Sequence, residues 1–312
     1  MKILVTGGAG FIGSHIAEAL VRAGHRVRVL DNFYSGKPSN LRPVKGDVEI
    51  VRGDCANPRV AARAVKGIEV VYHEAAIPSV ARSVDDPALS HAANATGTLT
   101  ILVAARDAGV RRVIYAGSSS IYGDAAALPK RESMTPRPLS PYAVGKLVGE
   151  HYLSVFCRLY AMEGLTLRYF NVFGPRQDPS SPYSGVISRF ATALLAGETP
   201  VVFGDGRQSR DFTYVENVVR GNLLALRAKT ADGRAVNLAT GRRVSLLQLL
   251  HAIARETGRP ARARKKKPRA GDIRHSLADI GLARRVLGYR PSVDFETGLK
   301  RTLAWYRTRL HP

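Results

Sequence analysis

The chain has 312 residues, enough to bury a full core without the disulfides or structural metals on which small folds depend. Its two cysteines, Cys55 and Cys157, are far apart and match no metal or redox spacing, so reduced thiols in a cytoplasmic protein are expected and no metal is called for. No apolar run approaches the roughly 18 residues of a membrane span, and 47 Lys and Arg against 25 Asp and Glu give a net charge of +22, which favours anionic ligands.

Met1 leads straight into strand-like sequence, with no basic leader or cleavage site, as in a chain that is not exported. Through the first half, short β-rich apolar runs alternate with longer segments of helical period. Parallel strands joined by crossover helices give this pattern, and it predicts an α/β fold with a doubly wound parallel sheet of the Rossmann type. Strands are expected at residues 2–6, 26–31, 49–52, 70–73, 112–116 and 166–170, each apolar enough for burial on both faces. Gly24 stops the first helix, and Ser140 before Pro141 offers a cap with proline at the first helical position. Longer helical segments cover 87–108 and 141–160. After about Phe170 the alternation loosens into loops such as 175–185, with helices near 215–227, 245–256 and 295–309. That part reads as a smaller α+β substrate-binding lobe. With no repeat or linker between them, a dinucleotide-binding part (1–170) and a substrate-binding part (171–312) are expected to interleave and share one core.

Gly7, Gly8, Gly10 and Gly13 fall between the first strand and the first helix, where missing side chains permit a tight turn and let backbone amides approach a pyrophosphate. Asp31 follows eighteen residues beyond Gly13, at the end of the second strand. A carboxylate there accepts from ribose hydroxyls and repels the extra phosphate of NADP, so NAD is the expected cofactor.

Tyr142 and Lys146 lie four apart in a segment capped for helix, which puts both on one face. A tyrosine with a pKa of about 10 is a poor base at neutral pH, and a neighbouring ammonium is expected to depress it. Ser118, Ser119 and Ser120, followed by Ile121, Tyr122 and Gly123, come at the carboxyl end of the fifth strand, where open α/β sheets place ligands.

On these residues the sequence resembles, over nearly its whole length, the extended short-chain dehydrogenase/reductases that act on nucleotide sugars, in particular their UDP-glucose 4-epimerase branch. The resemblance implies NAD-dependent C4 epimerisation of a UDP-hexose through a 4-keto intermediate. Its cofactor contacts would be Gly7, Gly10, Phe11, Ile12, Gly13, Asp31, Asn32, Asp54, Cys55, Ala75, Ala76, Tyr142, Lys146 and Tyr169. Catalysis would fall to Ser118, Tyr142 and Lys146, and substrate binding to Ser118, Ser119, Asn171, Val186, Arg210, Arg269, Asp272 and Ser276. Among these, Asn171, Arg210 and Arg269 would meet the diphosphate and Asp272 the uridine ribose. Ser276, where some relatives carry a bulky tyrosine, would leave room for an N-acetyl group at C2. A homodimer through the 87–108 and 141–160 helices is also implied.

Departures from the family pattern are Ala270 and Ser188 in place of prolines, Asn217 in place of an aspartate, and Glu74 in place of an uncharged residue. A 4,6-dehydratase resembles this fold but carries an Asp-Glu pair where this chain has Ser119 and Ser120, so dehydration and decarboxylation rank below epimerisation, while a UDP-glucuronate 4-epimerase stays open. A reading of another class is a non-catalytic NAD-binding protein drawn to nucleic acid by its charge. The densest basic run, from Arg259 to Arg269, lacks the interleaved aromatics of a single-strand surface, so a nucleic-acid partner is not expected.

Overall fold

The computed structural model describes residues 1–179, 185–267 and 273–310. The first part of the chain runs β1 (Lys2–Thr6), α1 (Phe11–Arg22), β2 (Arg26–Asp31), β3 (Val48–Arg52), α2 (Pro58–Val65), β4 (Val70–His73), α3 (Val80–Asp85) and α4 (Pro87–His91). A π-helical turn (Ala92–Thr96) joins α4 to α5 (Gly97–Asp107), followed by β5 (Arg112–Ser118), α6 (Pro141–Leu159) and β6 (Glu163–Tyr169). The remainder comprises β7 (Val172–Phe173), α7 (Val186–Leu195), β8 (Val201–Phe203), β9 (Ser209–Arg210), β10 (Thr213–Tyr214), α8 (Val215–Leu226) and β11 (Asp232–Leu238). It ends with β12 (Val244–Ser245), α9 (Leu246–Thr257), β13 (Arg264–Lys266), α10 (Gly281–Leu287) and α11 (Phe295–Leu310).

Seven parallel strands form the main sheet in the order β11-β6-β5-β4-β1-β2-β3. The chain winds outward from β1 to β3, then returns to the other side of β1 with β4. The expected doubly wound sheet is therefore present, and its order reverses between β1 and β4, where a crevice opens at the carboxyl ends of the strands. One core layer, including Ile16, Leu20, Val218 and Leu287, joins α1, α8 and α10 to one sheet face. A second, including Ala61, Ile101, Leu153 and Phe156, joins α2, α5 and α6 to the other. The short pairs β7–β10, β9–β12 and β8–β13 organise the smaller lobe, whose own core gathers Phe173, Phe190, Phe212, Leu249 and Leu303.

Three strand expectations need correction. β3 is not buried on both faces: it is the sheet edge, and Ile50 is exposed. The expectation of loosened alternation after residue 170 missed β11, which pairs with β6 and covers its outer edge. β6 also starts earlier than expected, at Glu163, because β5 pairs with it from Arg112 onward. Among the described residues no helix is long and apolar enough to cross a membrane, and no group of His, Cys, Asp and Glu could hold a metal ion.

Candidate active site

The turn from β1 into α1 is built around Gly7, whose φ of +64° suits glycine, whose amide donates to Leu30 O and whose carbonyl accepts from Gly10 N. A Cβ on Gly7 would lie 2.7 Å from the Ala75 backbone, and one on Gly13 would lie 2.3 Å from the Gly7 carbonyl oxygen. The helix therefore starts hard against the strand, with Gly10 as an N-cap that offers no side chain and a first turn that carries no acid. Free amides and an unopposed helix dipole make this cradle fit the pyrophosphate of a dinucleotide.

Asp31 closes one side. Its carboxylate accepts from Ala9 N at 2.9 Å and Phe33 N at 2.7 Å, which hold the glycine turn to the end of β2. Burial pushes its pKa up, and the two amides pull it back. Next to it, Asn32 Nδ2 donates to Asp54 Oδ2, and Cys55 is a buried free thiol whose pKa burial pushes up to about 12.

Behind the cradle, His73 at the end of β4 is fixed as a neutral ring. Thr98 Oγ1 donates to Asn94 O at 2.7 Å, so it accepts from His73 Nε2 at 3.0 Å. His73 Nδ1 is then left to accept from Thr6 Oγ1 at 2.7 Å, while that hydroxyl accepts from Ala75 N. Burial, followed by the Lys146 charge, pushes the His73 pKa down to about 3. The two serial hydroxyls lock the ring and, through Ala75, the backbone that faces Gly7.

Ser140 caps α6 by accepting from Ala143 N, and Pro141 starts the helix. Tyr142 and Lys146 then project from successive turns toward the end of β5. Ser118 Oγ accepts from Ser120 N and lies 2.8 Å from Ser120 Oγ, and the Ser118 side chain is close enough to Tyr142 to lower its pKa. Lys146 is 3% exposed and donates to Ala116 O at 2.9 Å, with Nζ 5.0 Å from the centre of the Tyr115 ring. The expected depression of the tyrosine is not produced by the polypeptide alone. Burial raises the Tyr142 pKa, and the Ser118 side chain is what opposes it. Burial pushes Lys146 down and the neighbouring carboxylate Glu74 up, and each charge pulls the other back.

The turn after Ser118 rests on a buried polar network that sequence reasoning had not assigned. Arg168 on β6 donates to both oxygens of Glu150 and to the Tyr122 hydroxyl at 2.6 Å. Tyr122 donates to Asn237 Oδ1 at 2.7 Å, and Asn237 Nδ2 donates to Lys130 O. Arg168 is thus held by α6 and β11 together. Its place in a buried strand gave an apolar-run reading no reason to mark it.

The glycine turn, Asp31, Ser118, Tyr142 and Lys146 border one cleft of about 1620 Å³, between the carboxyl ends of the main sheet and the smaller lobe, and the His73 and Arg168 networks support it from behind. Every expected site residue that the structure describes lines it, including Tyr169, Asn171, Val186, Arg210 and Ser276. Arg269, Asp272 and the departure Ala270 lie outside the described residues. Asn171 Nδ2 donates to Asp211 O, and the buried Asp211 carboxylate accepts from Thr240 and Gly241 amides, joining three loops at the cleft wall. Lys130, which is buried, and Arg176 and Arg189 also line the cleft, and sequence reasoning had assigned none of them to it. Asn217 explains its own departure: its amide accepts from Val293 N and donates to Val293 O at 2.7 Å, and an ionised aspartate could not make the second bond. Ser188 uses its hydroxyl on Tyr306.

A model of the NAD dependent epimerase/dehydratase family matches residues 3–239. The UDP-glucose 4-epimerase of Mycolicibacterium smegmatis is 40% identical over 313 residues, covering 99% of each chain. Among solved structures, the chain is similar to UDP-glucose 4-epimerase with UDP-glucose from Thermotoga maritima, at 38% identity and a TM-score of 0.95 over 100% of both chains. It is also similar to UDP-N-acetylglucosamine 4-epimerase from Methanobrevibacter ruminantium in complex with UDP-N-acetylmuramic acid. There the identity is 37% and the TM-score 0.94, covering 99% of this chain and 98% of that one.

Proposed function

The chain belongs to the NAD-dependent epimerase/dehydratase family, and on that premise we propose that it interconverts the C4 epimers of a UDP-hexose, UDP-glucose and UDP-galactose first, with the N-acetylated pair also accepted. The observation that carries this reading is the convergence of Ser118, Tyr142 and Lys146 on the cleft that the glycine turn borders. Ser119 and Ser120, at the positions next to Ser118, are no acid-base pair for dehydration.

In this reading the cradle of Gly7, Gly10 and Gly13 holds the cofactor pyrophosphate and Asp31 the adenosine ribose, which favours NAD over NADP. NAD, when bound, supplies hydride exchange at C4 and, in its oxidised form, a positive charge that favours the Tyr142 phenolate. Tyr142 takes the proton from the 4-hydroxyl and returns it after the sugar has turned over. Ser118, whose side chain adjoins Tyr142, holds the same oxygen. Lys146 binds the nicotinamide ribose and keeps a cation beside the phenol. Asn171, Arg210, Arg269 and Asp272 anchor the nucleotide while the hexose rotates. Ser276 faces the cleft with a small side chain and leaves space at C2.

Support for a homodimer is the outward face of α6, where Val144, Val155 and Leu159 are 46%, 45% and 67% exposed. Light scattering at micromolar concentration measures the mass directly.

The deciding experiment incubates purified protein with NAD and a panel of UDP, GDP and dTDP sugars, including UDP-glucuronate, and identifies products by NMR. Appearance of the C4 epimer of a UDP-hexose supports the reading. A 4-keto-6-deoxy product, or turnover of UDP-glucuronate alone, refutes it.

A further inference from the structure

Glu74 directly follows β4 and lines the cleft together with Ala75, Tyr142, Lys146 and Tyr169. Its Oε1 accepts from the Tyr169 hydroxyl at 2.8 Å. Having given its single proton to Glu74, that hydroxyl accepts from Asn222 Nδ2, also at 2.8 Å. The carboxylate is therefore held from β6 and α8 at once. Around it are Tyr72 on β4 and Tyr115 on β5, both kept neutral by burial, and the ammonium of Lys146 from α6. Lys146 Nζ donates to the carbonyl of Ala116 and lies over the Tyr115 ring, and Tyr115 pairs with His73, so the ammonium and the carboxylate that follows His73 meet at the same end of the β4–β5 pair.

We propose that Glu74 is a positioning residue that keeps Lys146 in its ammonium form inside the cleft. Burial alone drives an amine toward its neutral state, and an opposite charge in the same low-dielectric pocket opposes that drift. Glu74 is the group whose charge acts this way on Lys146. The Tyr169 hydrogen bond does the corresponding service for Glu74, since it favours the ionised carboxylate against its own burial. A neutral Lys146 would bind the cofactor ribose less well and would give the Tyr142 phenolate no charge to lean on. This role of Glu74 rests on the assignment of Lys146 proposed above.

The test compares wild type with Glu74→Gln, which preserves shape and one hydrogen-bond acceptor, and Glu74→Asp, which preserves charge. NADH affinity is measured by fluorescence titration from pH 6 to 10, beside the pH profile of kcat/KM on the best UDP-hexose. Loss of the carboxylate should move the alkaline limb of both curves down by about one pH unit or more. At pH 9 the affinity of Glu74→Gln should be about tenfold weaker than wild type, with little difference at pH 6.5, and Glu74→Asp should recover most of the shift. Parallel curves for wild type and Glu74→Gln would overturn the inference. So would equal loss of binding at every pH in both variants, because the residue would then be needed for shape and not for charge. The cofactor titration needs no sugar, so a shift there with no turnover of any UDP-hexose would leave this inference standing and refute the proposed reaction instead.

Discussion

Replacing Gly13 by alanine strikes the cofactor cradle where neither side can yield. The new Cβ would sit 2.3 Å from the Gly7 carbonyl oxygen and 2.9 Å from its carbonyl carbon, both backbone atoms. Gly7 cannot retreat, because its amide is bonded to Leu30 O at 2.7 Å and its carbonyl receives Gly10 N at 2.9 Å. Relief to ordinary contact therefore needs the first turn of α1 to move off by about an ångström, an overpacking that costs roughly 1–3 kcal/mol. The same movement takes the leading amides of α1 out of hydrogen-bond range of a pyrophosphate. Loss of two hydrogen bonds to a charged group, at roughly 1.5–3 kcal/mol each, predicts at least a hundredfold weaker cofactor affinity. Calorimetric titration with NAD and thermal melting read the two effects separately. Gly24→Ala is the control: its φ is +80° but a Cβ there meets no heavy atom within 4 Å, so it should cost about 1 kcal/mol of backbone strain and leave cofactor affinity intact. Wild-type affinity in Gly13→Ala, or a larger affinity loss in Gly24→Ala, would refute the reasoning.

Tyr142→Phe should lower turnover by about 10²-fold or more while UDP binding by calorimetry stays near wild type; retained turnover would remove Tyr142 from the chemistry. Arg168→Met should destabilise the fold by about 3–5 kcal/mol in urea titrations, because Glu150 and the Tyr122 hydroxyl lose their shared buried donor; a loss below 1 kcal/mol would show that the network is not coupled. His73 is held neutral, with a pKa of about 3 against an ordinary 6.5, so the unfolded chain binds more protons between those values. Its contribution to stability is full above pH 6.5 and declines as pH falls toward 3. Urea midpoints at pH 7.5, 6 and 5 should fall less steeply in His73→Gln, and an unchanged slope would refute the assignment. Ser276→Tyr should selectively abolish conversion of UDP-N-acetylglucosamine, with UDP-galactose conversion kept; equal loss of both would mean that the side chain does not read C2.

The parts of this protein that announce themselves in sequence are those under two-sided burial or tight backbone constraint. β1, β2 and β4 have the expected bounds because central parallel strands must be apolar throughout, and Gly7 to Gly13 are glycines because a Cβ would collide with backbone. β3 misleads because an edge strand buries little, and β11 hides because its only buried run is Val236 to Leu238, one of them Asn237, while Asp232 and Arg234 are exposed. Lys146 and Tyr142 were legible as a spaced pair, but their electrostatics were not. Whether an ammonium acidifies a phenol depends on what else surrounds it, and Glu74 and Ala116 arrive from other strands. The Arg168 network is illegible for the same reason: Glu150, Tyr122 and Asn237 are scattered in sequence and meet only through the sheet order.

The outermost strand beside β6 also sets terms for how such a chain can be made and remade. A growing polypeptide carries six strands with one flank of bare amides and carbonyls until residue 238 has been synthesised, a surface that invites pairing with any other extended chain. Recombination faces the mirror problem. A crossover that imports the sugar-recognising half of another protein must bring along a strand of matching register for β6, so new specificities are easier to acquire by altering loops than by trading segments.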